Sequence, residues 1–406
     1  MLTEYDIVIA GGGMVGASLA CALSDTNLRI ALVEAISPDS EYQPSYDERG
    51  LALSLSSKRI FQALKVWHQV EANANPIKRV HVSDRGHFGK VRMNAASMGL
   101  EALGYVVIAR ELGTVLMSRL RNTGNVDLLC PAQVTSVRQQ PDNISLSLSL
   151  PQSTQELSCK LLVVADGARS GIREQLNIKT EITDYNQTAI VCNVTSQIAH
   201  ADTAYERFTE AGPLALLPLK QNRSVVVFTV PTEEAEHYLQ VDNDYFLEEI
   251  QKRFGRRLGK LAKVSSRHSY PMMQLLAHKQ VEGRAVLLGN SAHTIHPNGA
   301  QGFNLCLRDV AGLAEHLVQD NGLANDPGDK HLLESYLNSR LEDQQRVSRL
   351  SHGMTRWFYN NQLTRAATRN VAMTLVDLVP PAKDSLMRRG MGIWGKQPGL
   401  VRGLEL

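Results

Sequence analysis

YDIVIAGGGMVGASLACALSDTNLRIALVE, residues 5–34, sets the architecture of the chain. A β-rich run from Tyr5 to Ala10 enters a turn of glycines, and the residues from Ala17 to Leu23 have a helical composition. A second apolar run, Leu28 to Val33, ends at Glu34. The order strand, tight turn, helix, strand predicts a βαβ unit whose two strands are parallel neighbours.

The glycine spacing within this unit is typical of a turn that binds a dinucleotide. Gly11 permits the sharp turn out of the strand, Gly13 lets the backbone approach a pyrophosphate, and Gly16 allows the helix to pack closely on the sheet. The helix that begins near Met14 and Val15 offers N–H groups and the positive end of its dipole to the phosphates. Similar turns also occur in βαβ units without a ligand, so the turn alone leaves that alternative open.

Glu34, at the end of the second strand, narrows the choice of nucleotide. Its carboxylate is placed to accept hydrogen bonds from a ribose diol. The same charge would repel the 2′-phosphate of NADP. A bound dinucleotide at this turn would therefore be NAD or FAD.

Composition indicates a globular protein with a small-molecule partner. The chain has 406 residues, of which 43% are hydrophobic, enough for two or three domains that each bury a core. Lys and Arg number 43 and Asp and Glu number 41, so the formal net charge is only +2. No chain-wide charge favours nucleic acid as a partner.

The cysteines and the hydropathy pattern bear on metal content and location. The five cysteines are odd in number, widely spaced and free of a Cys-x-x-Cys pair, which argues against a disulfide framework and a metal site and favours a reducing compartment. No run of eighteen apolar residues occurs, and we expect neither a signal peptide nor a membrane span. The prediction is a cytoplasmic protein.

The rest of the chain suggests a second sheet inserted into the first. Further apolar strands are expected at Lys160 to Ala165 and Ala285 to Leu288. Between them, Thr188 to Val230 is rich in β-formers and predicts a mainly antiparallel sheet that also takes in Val80 to Val91. After Gly302 the pattern becomes helical.

Two more motifs carry a family resemblance. Residues 163–173 read VVADGARSGIR and residues 287–304 read LLGNSAHTIHPNGAQGFN. Together with the glycine turn, and in this order, they resemble the motifs of the class A flavoprotein monooxygenases, the aromatic hydroxylases. The resemblance covers at least residues 5 to 350 and makes FAD, rather than NAD, the expected cofactor.

That resemblance implies a fold. We expect an α/β protein with a Rossmann-type, glutathione-reductase-like FAD-binding domain, an inserted mainly antiparallel β-sheet substrate domain and C-terminal helices. The expected boundaries are 1–75, 101–182 and 269–345 for the FAD-binding domain, 76–100 and 183–268 for the substrate domain, and 346–406 for the C-terminal helical region.

The resemblance also assigns roles to residues of the later motifs. Asp166 and Gly167 would lie near the pyrophosphate, and Arg173 would balance charge there. Asn290 stands where most relatives have an Asp that binds a ribityl hydroxyl of FAD. Because an amide also accepts hydrogen bonds, we expect FAD binding to survive the loss of the charge. The flavin ring would lie against the helix start formed by Pro297, Gly299, Gly302, Phe303 and Asn304.

Contacts outside these motifs are expected from three further residues. By the same resemblance, Arg49 and Arg110 would contact FAD, and the backbone of Val134 would meet the adenine. An arginine in isolation is otherwise typical of a solvated surface.

Other segments point to one branch of the family. VHVSDRGH at 80–87, YERFT at 205–209 and GPLALLP at 212–218 resemble the ubiquinone-biosynthesis hydroxylases. The implied reaction is ring hydroxylation of a polyprenylated methoxyphenol. NAD(P)H would bind transiently and reduce the flavin, O2 would add at its C4a carbon, and the hydroperoxide would transfer an oxygen atom to the ring.

Two functional hypotheses go beyond cofactor binding. His296, beside Pro297, is a candidate for the group that favours the phenolate form of the substrate, because histidine titrates near neutral pH. His293 is expected to pack or to form a hydrogen bond.

The mixture of apolar and basic residues at 371–396 could rest on the inner face of a membrane, where the isoprenoid substrate would arrive, or could simply pack on the body of the protein. A place in a ubiquinone-biosynthesis complex is a further expectation.

Several alternatives stay open at this point. The substrate could be a soluble aromatic, or a different ring position of the quinone precursor. A flavin-dependent reductase of prenyl chains has a related fold, and a non-catalytic flavin-binding scaffold is a fourth interpretation. The related halogenases are excluded, because their Trp-x-Trp-x-Ile-Pro stretch cannot be built from Trp67, Trp357 and Trp394.

Overall fold

The computed structural model describes residues 3–37, 40, 49–319, 326–358 and 363–406. Its strands are β1 (Thr3–Ala10), β2 (Ile30–Val33), β3 (Gly50–Ser54), β4 (Asn75–Ile77), β5 (Arg79–Asp84), β6 (Lys90–Asn94), β7 (Gly104–Ile108), β8 (Val126–Leu129), β9 (Gln133–Gln139), β10 (Ile144–Ser149), β11 (Thr154–Val164), β12 (Thr180–Ser196), β13 (Thr203–Thr209), β14 (Gly212–Pro218), β15 (Arg223–Pro231), β16 (Leu261–Val264), β17 (His268–Ala277), β18 (Val281–Glu282), β19 (Ala285–Leu287) and β20 (His293–Thr294). Its α-helices are α1 (Met14–Ala22), α2 (Leu55–Ala63), α3 (Trp67–Glu71), α4 (Ala109–Arg121), α5 (Gly171–Gln175), α6 (Ala235–Gln240), α7 (Asn243–Phe254), α8 (Gln301–Gln319), α9 (Lys330–Phe358), α10 (Leu363–Leu378), α11 (Pro380–Gly390) and α12 (Gly399–Arg402).

The first sheet contains the predicted βαβ unit. β1 lies between β2 and β11, and both neighbours are parallel to it. The sheet continues through β19 on one side and β8 on the other, and the β9–β10 hairpin joins β11. Ile7 and Ile9 point into one buried cluster with α1 and α8, whereas Val8 points into another with the hairpin. Burial on both faces explains why β1 is almost continuously apolar.

The second sheet is the inserted layer. Its strands follow the order β20, β17, β12, β15, β14, β13, β5, β6, with β16 also paired to β12. All of these pairs are antiparallel except that between β13 and β5. The predicted mainly antiparallel sheet, including the segment from Val80, is therefore confirmed. α6 and α7 cover one face, where Phe228 and Phe246 pack together.

Between the two sheets lies a small third sheet that the sequence did not predict. β7 pairs with β3 and with β4, antiparallel in both cases. β3 leads directly into α2, whose first turn is capped by the side chain of Ser54. This sheet brings the chain after Arg49 next to the start of α4.

The C-terminal helices pack on α8 and on the second sheet. α9 contacts α8, and α10 contacts β6 of the second sheet. α9 continues without a break to Phe358. Within the described ranges, no helix combines the length and apolar character that crossing a membrane requires.

Candidate functional site

The glycine turn leaves no room for larger residues. Gly11 has a φ of +109°, and a Cβ there would lie 2.3 Å from the carbonyl oxygen of Ala165. A Cβ on Gly16 would lie 1.9 Å from the carbonyl oxygen of Gly11. Gly13 precedes α1 without a side-chain cap from the described residues, so the first-turn N–H groups are available to an anion. Met14 and Val15, half-buried, form that first turn.

Glu34 has a second role that the sequence did not indicate. One carboxylate oxygen accepts a hydrogen bond from Gly12 N at 2.7 Å, and the other accepts from Ile36 N at 2.8 Å. The carboxylate thus stiffens the glycine turn while its remaining lone pairs can still meet a ribose. The Glu34 carbonyl accepts from Ala132 N at 2.8 Å, which brings Val134 to this end of the site.

The second and third motifs meet the glycine turn at the carboxyl ends of the parallel strands. Ala165 N donates to the Ala10 carbonyl at 2.8 Å, and Ser291 Oγ donates to the Val164 carbonyl at 2.6 Å. A Cβ on Gly289 would lie 3.1 Å from Val15, so the exposed Asn290 lies beside the start of α1. This edge of an α/β sheet is where ligands bind.

Asp166 carries an oxygen that lacks a protein partner. Its Oδ1 is buried and makes no hydrogen bond within the described chain, whereas Oδ2 accepts from Ile172 N at 3.4 Å. Burial raises the pKa of this carboxyl. A Cβ on the adjacent Gly167 would meet open space. A buried acceptor beside open space fits a bound ligand that supplies the donor.

The side chain of Arg173 is held by backbone carbonyls of both later motifs. The guanidinium is buried and donates to the carbonyls of Ser291 and Ala168, at 3.0 and 2.9 Å. Arg173 thus links the second and third motifs, and its charge-balancing role beside a pyrophosphate stays a prediction.

The segment from Pro297 to Asn304 begins α8. Gly299 has a φ of +63°, and a Cβ on it would meet open space. A Cβ added to Gly302 would lie 3.6 Å from the Ile295 side chain. The Phe303 side chain packs against the hydrophobic core. These positions present backbone, not side chains, to the space in front of the helix.

The Asn304 side chain holds this loop in place. Its Oδ1 accepts from Ser54 N and Ser57 Oγ, and its Nδ2 donates to the carbonyls of Ala52 and Ala300. All four hydrogen-bonding positions of the amide are used within the protein. Any contribution of Asn304 to cofactor binding would come through the loop that it positions.

Arg49 and Arg110 lie next to each other in space. The Arg49 carbonyl accepts from Ala109 N at 2.9 Å, which places Arg110 just beyond it at the exposed start of α4. The Arg49 guanidinium lies over the Tyr270 ring at 4.6 Å. Their contact with FAD stays a prediction.

The two histidines of the third motif are both buried, with different partners. His293 Nε2 bonds to Asp309 Oδ2 at 2.6 Å, and Asp309 accepts from Arg340 Nε at 2.7 Å. Burial alone would raise the pKa of Asp309, but the Arg340 charge and the His293 hydrogen bond hold it below its usual value. His293 thus joins the third motif to α9 through an ionic network.

His296 is fully buried and packs edge-on against the Tyr185 ring at 4.9 Å. Burial lowers its pKa to about 4, so the imidazole is neutral near pH 7. Its Nε2 makes no hydrogen bond with any described residue, and the ring does not line the apolar cavity beside Gly299. These features favour another residue for substrate chemistry.

A cavity of about 380 Å³ opens beside the loop of Gly299. It lies between the second sheet, α9 and the C-terminal helices. Most of its lining is apolar, including Val80, Val82, Phe208, Met354, Met373 and Val376. Glu206, on β13, also lines it and was not singled out by the sequence.

These residues fit FAD. The glycine turn leaves the start of α1 open for a pyrophosphate, and the Glu34 carboxylate follows β2 where it can bind a ribose. Asp166 has a buried oxygen without a hydrogen-bond partner among the described residues, and the loop that contains Gly299 faces an apolar cavity. No group of three or more His, Cys, Asp or Glu side chains in the described part of the chain is arranged to hold a metal.

Comparison with known proteins decides the family. A family model for an FAD binding domain matches residues 4–351. The chain is also 33% identical to ubiquinone hydroxylase UbiL of Rhodospirillum rubrum, over 99% of this chain and 93% of that protein. The chain belongs to the FAD-dependent monooxygenases, in the branch of the ubiquinone hydroxylases.

Two further similarities agree with this family. The monooxygenase is 27% identical to 3-demethoxyubiquinol 3-hydroxylase of Escherichia coli, over 96% of this chain and 98% of that one. Its fold matches p-nitrophenol 4-monooxygenase PnpA of Pseudomonas putida with a TM-score of 0.81 at 18% identity, covering 98% of this chain and 100% of that one. The predicted resemblance, fold class, FAD cofactor and enzyme class are confirmed. The individual contacts to FAD stay predictions.

Proposed function

We propose that this monooxygenase hydroxylates the aromatic ring of a polyprenylated phenol, of the 2-octaprenyl-6-methoxyphenol kind, in ubiquinone biosynthesis. O2 is the co-substrate and NAD(P)H the transient reductant. The names of the two ubiquinone-related relatives support the class of substrate. The observation that carries the proposal is the cavity beside the Gly299 loop.

The size and lining of the cavity suit a ring with an apolar tail. Its volume of about 380 Å³ is near the lower end of the roughly 300–1,000 Å³ of small-molecule sites. A ring and the first isoprene units would fill it, and an octaprenyl tail would have to leave it. Trp357 and Trp394 line the cavity and are also 40% exposed, so it reaches the surface beside α10 and α11.

The protein supplies position and a dry environment for the reaction. When bound, FAD provides the redox chemistry by which O2 can hydroxylate a ring. The apolar side chains around the cavity exclude water, which would otherwise compete in the reaction. The first turn of α8 would present backbone N–H groups to the flavin ring, where they favour negative charge.

Oxygen consumption tests this function. Purified protein should be yellow, and a methoxyphenol with a short isoprenoid tail should stimulate both O2 uptake and NAD(P)H oxidation. The same phenol without a tail should be a much poorer substrate, because it fills little of the cavity. Equal stimulation by both phenols would favour a soluble aromatic substrate, and NAD(P)H oxidation without O2 uptake would favour a prenyl reductase. Mass spectrometry of quinone intermediates in cells lacking the protein would identify the ring position.

We also propose that the surface around α10 and α11 contacts an anionic membrane. Val371, Leu375 and Leu378 follow each other on successive turns of α10 and are 51%, 56% and 69% exposed. Arg388 and Arg389, also exposed, end α11 nearby. An apolar helix face flanked by basic residues is typical of a segment that rests on a bilayer. It would place the cavity opening where a lipid substrate arrives.

Flotation with vesicles of phosphatidylethanolamine and phosphatidylglycerol tests the membrane contact. The double variant L375E/L378E should float less than the wild type. L341E is the matched control, because Leu341 is 50% exposed on α9. Point substitutions are preferable to a truncation, which would remove the buried Asn370. Equal flotation of all three proteins would contradict the proposal.

A further inference from the structure

Glu206 is a carboxylic acid on an apolar face of a strand. Side chains alternate along β13, so Ala204, Glu206 and Phe208 share one face and Tyr205 and Arg207 the other. On the neighbouring strand β5, Val80 and Val82 pair with Ala204 and Glu206 and line the same cavity. A carboxyl among apolar side chains is costly, which calls for a functional reason.

One oxygen of Glu206 is tied to the loop expected to face the flavin. Gly299 N donates to Glu206 Oε1 at 3.3 Å, across 93 positions of the chain. Oε2 makes no hydrogen bond with the residues that the structure describes, and the side chain lines the cavity. The carboxyl therefore lies where the substrate cavity meets the loop.

Other charged residues around the cavity are engaged elsewhere. Asp343 accepts from Arg308 and Arg340, Arg346 pairs with Glu342, and the Arg389 guanidinium lies over the Trp394 ring. None of them contributes to the pKa of Glu206, which burial raises to about 7 and the Gly299 hydrogen bond lowers in part. A base of this pKa is matched to catalysis near neutral pH.

We propose that Glu206 binds the phenolic hydroxyl of the substrate and accepts its proton. The substrate O–H bond breaks, a new O–H bond forms on Glu206 Oε2, and the electron pair stays on the phenolate oxygen. The step moves one proton and requires no oxidant or reductant. The phenolate makes the ring carbons more electron-rich and so more reactive toward an electrophilic oxygen. This inference rests on the proposed hydroxylase function, and it assigns to Glu206 the role that the sequence suggested for His296.

The variant E206Q separates proton transfer from the tether to the loop. A glutamine oxygen can still accept from Gly299 N, so FAD content and FAD affinity should equal those of the wild type. Because an amide cannot take the proton, the hydroxylation rate should fall about 100-fold or more. In the wild type the rate should rise with pH through about 7 as the carboxyl ionises, and this rise should be absent in E206Q. E206D, with a shorter carboxylate, should recover part of the rate and of the pH dependence.

A binding measurement gives a readout that does not depend on turnover. The probe is 2-methoxyphenol with a geranyl tail, labelled with carbon-13 at the carbon that bears the hydroxyl, bound to the FAD-loaded protein without NAD(P)H. Because an ionised carboxylate accepts a strong hydrogen bond from the phenolic O–H, the carbon-13 shift should move part of the way toward that of the phenolate as pH rises through about 7 in the wild type. In E206Q the shift should not change over this pH range.

The outcomes separate the two proposals. If the wild type hydroxylates the tailed phenol and E206Q does so at the same rate with the same pH profile, the role of Glu206 is wrong and the proposed function stands. If the wild type does not hydroxylate any tailed phenol, the proposed function fails. An unchanged carbon-13 shift between wild type and E206Q would overturn the role of Glu206 in either case.

Discussion

Arg369 donates two hydrogen bonds to one carboxylate oxygen of Asp84, at 2.9 and 2.6 Å, although 285 positions separate the two residues. Both side chains are buried, and the adjacent Asn370 bonds to the same oxygen at 2.9 Å. Arg369 lies on α10 and Asp84 ends β5, so this ion pair fastens the C-terminal helices to the second sheet. The wall of the cavity depends on that attachment.

Removing one partner of this pair should be strongly destabilising. R369M leaves the Asp84 charge buried without its counter-ion, and the free energy of unfolding should fall by roughly 3–5 kcal/mol. As a control, K330M breaks the exposed ion pair of Lys330 with Glu334, and the free energy of unfolding of this variant should stay close to the wild-type value. Urea unfolding of the FAD-loaded proteins measures both; similar small changes would show that the buried pair does not anchor α10.

Substituting Gly16 should weaken FAD binding. G16A places a Cβ against the Gly11 carbonyl and forces the turn apart, so we expect at least a tenfold loss of affinity, about 1.4 kcal/mol. G124A is the control, because a Cβ on the exposed Gly124 meets nothing within 4 Å. Flavin fluorescence titration gives both affinities. Wild-type affinity in G16A would contradict the assignment of the pyrophosphate site.

Asn290 should tolerate a carboxylate but not the loss of its polar group. N290D keeps an acceptor beside α1 and should bind FAD about as tightly as the wild type. N290A removes one hydrogen bond, which costs about 0.5–1.5 kcal/mol. The same titration compares them. If N290A bound FAD as tightly as N290D, the side chain would not contact the cofactor.

The buried His296 should make stability depend on pH. Its pKa is lowered to about 4 in the folded protein, so between pH 4 and 6.5 the unfolded chain binds more protons there. Stability should therefore decrease as pH falls, by about 2 kcal/mol between pH 7 and pH 5 from this residue alone. H296Q should remove that part of the slope. Its hydroxylation rate should keep the wild-type dependence on pH, since the ring does not line the cavity; loss of that dependence would restore His296 as the catalytic candidate.

Much of the geometry of the candidate cofactor site was predictable because it is encoded locally. Gly11, Gly16 and Glu34 lie within one βαβ unit, where spacing alone fixes which backbone groups approach each other. The motif around Asp166 ends a strand and was recognisable for the same reason. The inserted sheet was predictable from the β-rich composition between Thr188 and Val230.

Residues that act through distant partners were not predictable. Glu206 meets Gly299, and Asp84 meets Arg369, only because the chain folds two sheets and a helix against each other. One local signal for Glu206 existed: on β13 it shares the apolar face of Ala204 and Phe208, where a charged residue interrupts the alternation. His296 was proposed from proximity to Pro297, and sequence proximity does not reveal which way a side chain points.

Hydroxylation with isotopically labelled dioxygen tests the proposed reaction most directly. The FAD-loaded protein is mixed with NAD(P)H, labelled O2 and a methoxyphenol that carries an isoprenoid tail, and the product is analysed by mass spectrometry. We expect a ring-hydroxylated product that contains one labelled oxygen atom, formed rapidly by the wild type and about 100-fold or more slowly by E206Q. A wild-type product without labelled oxygen on the ring, or with a reduced tail instead, would contradict the proposed reaction.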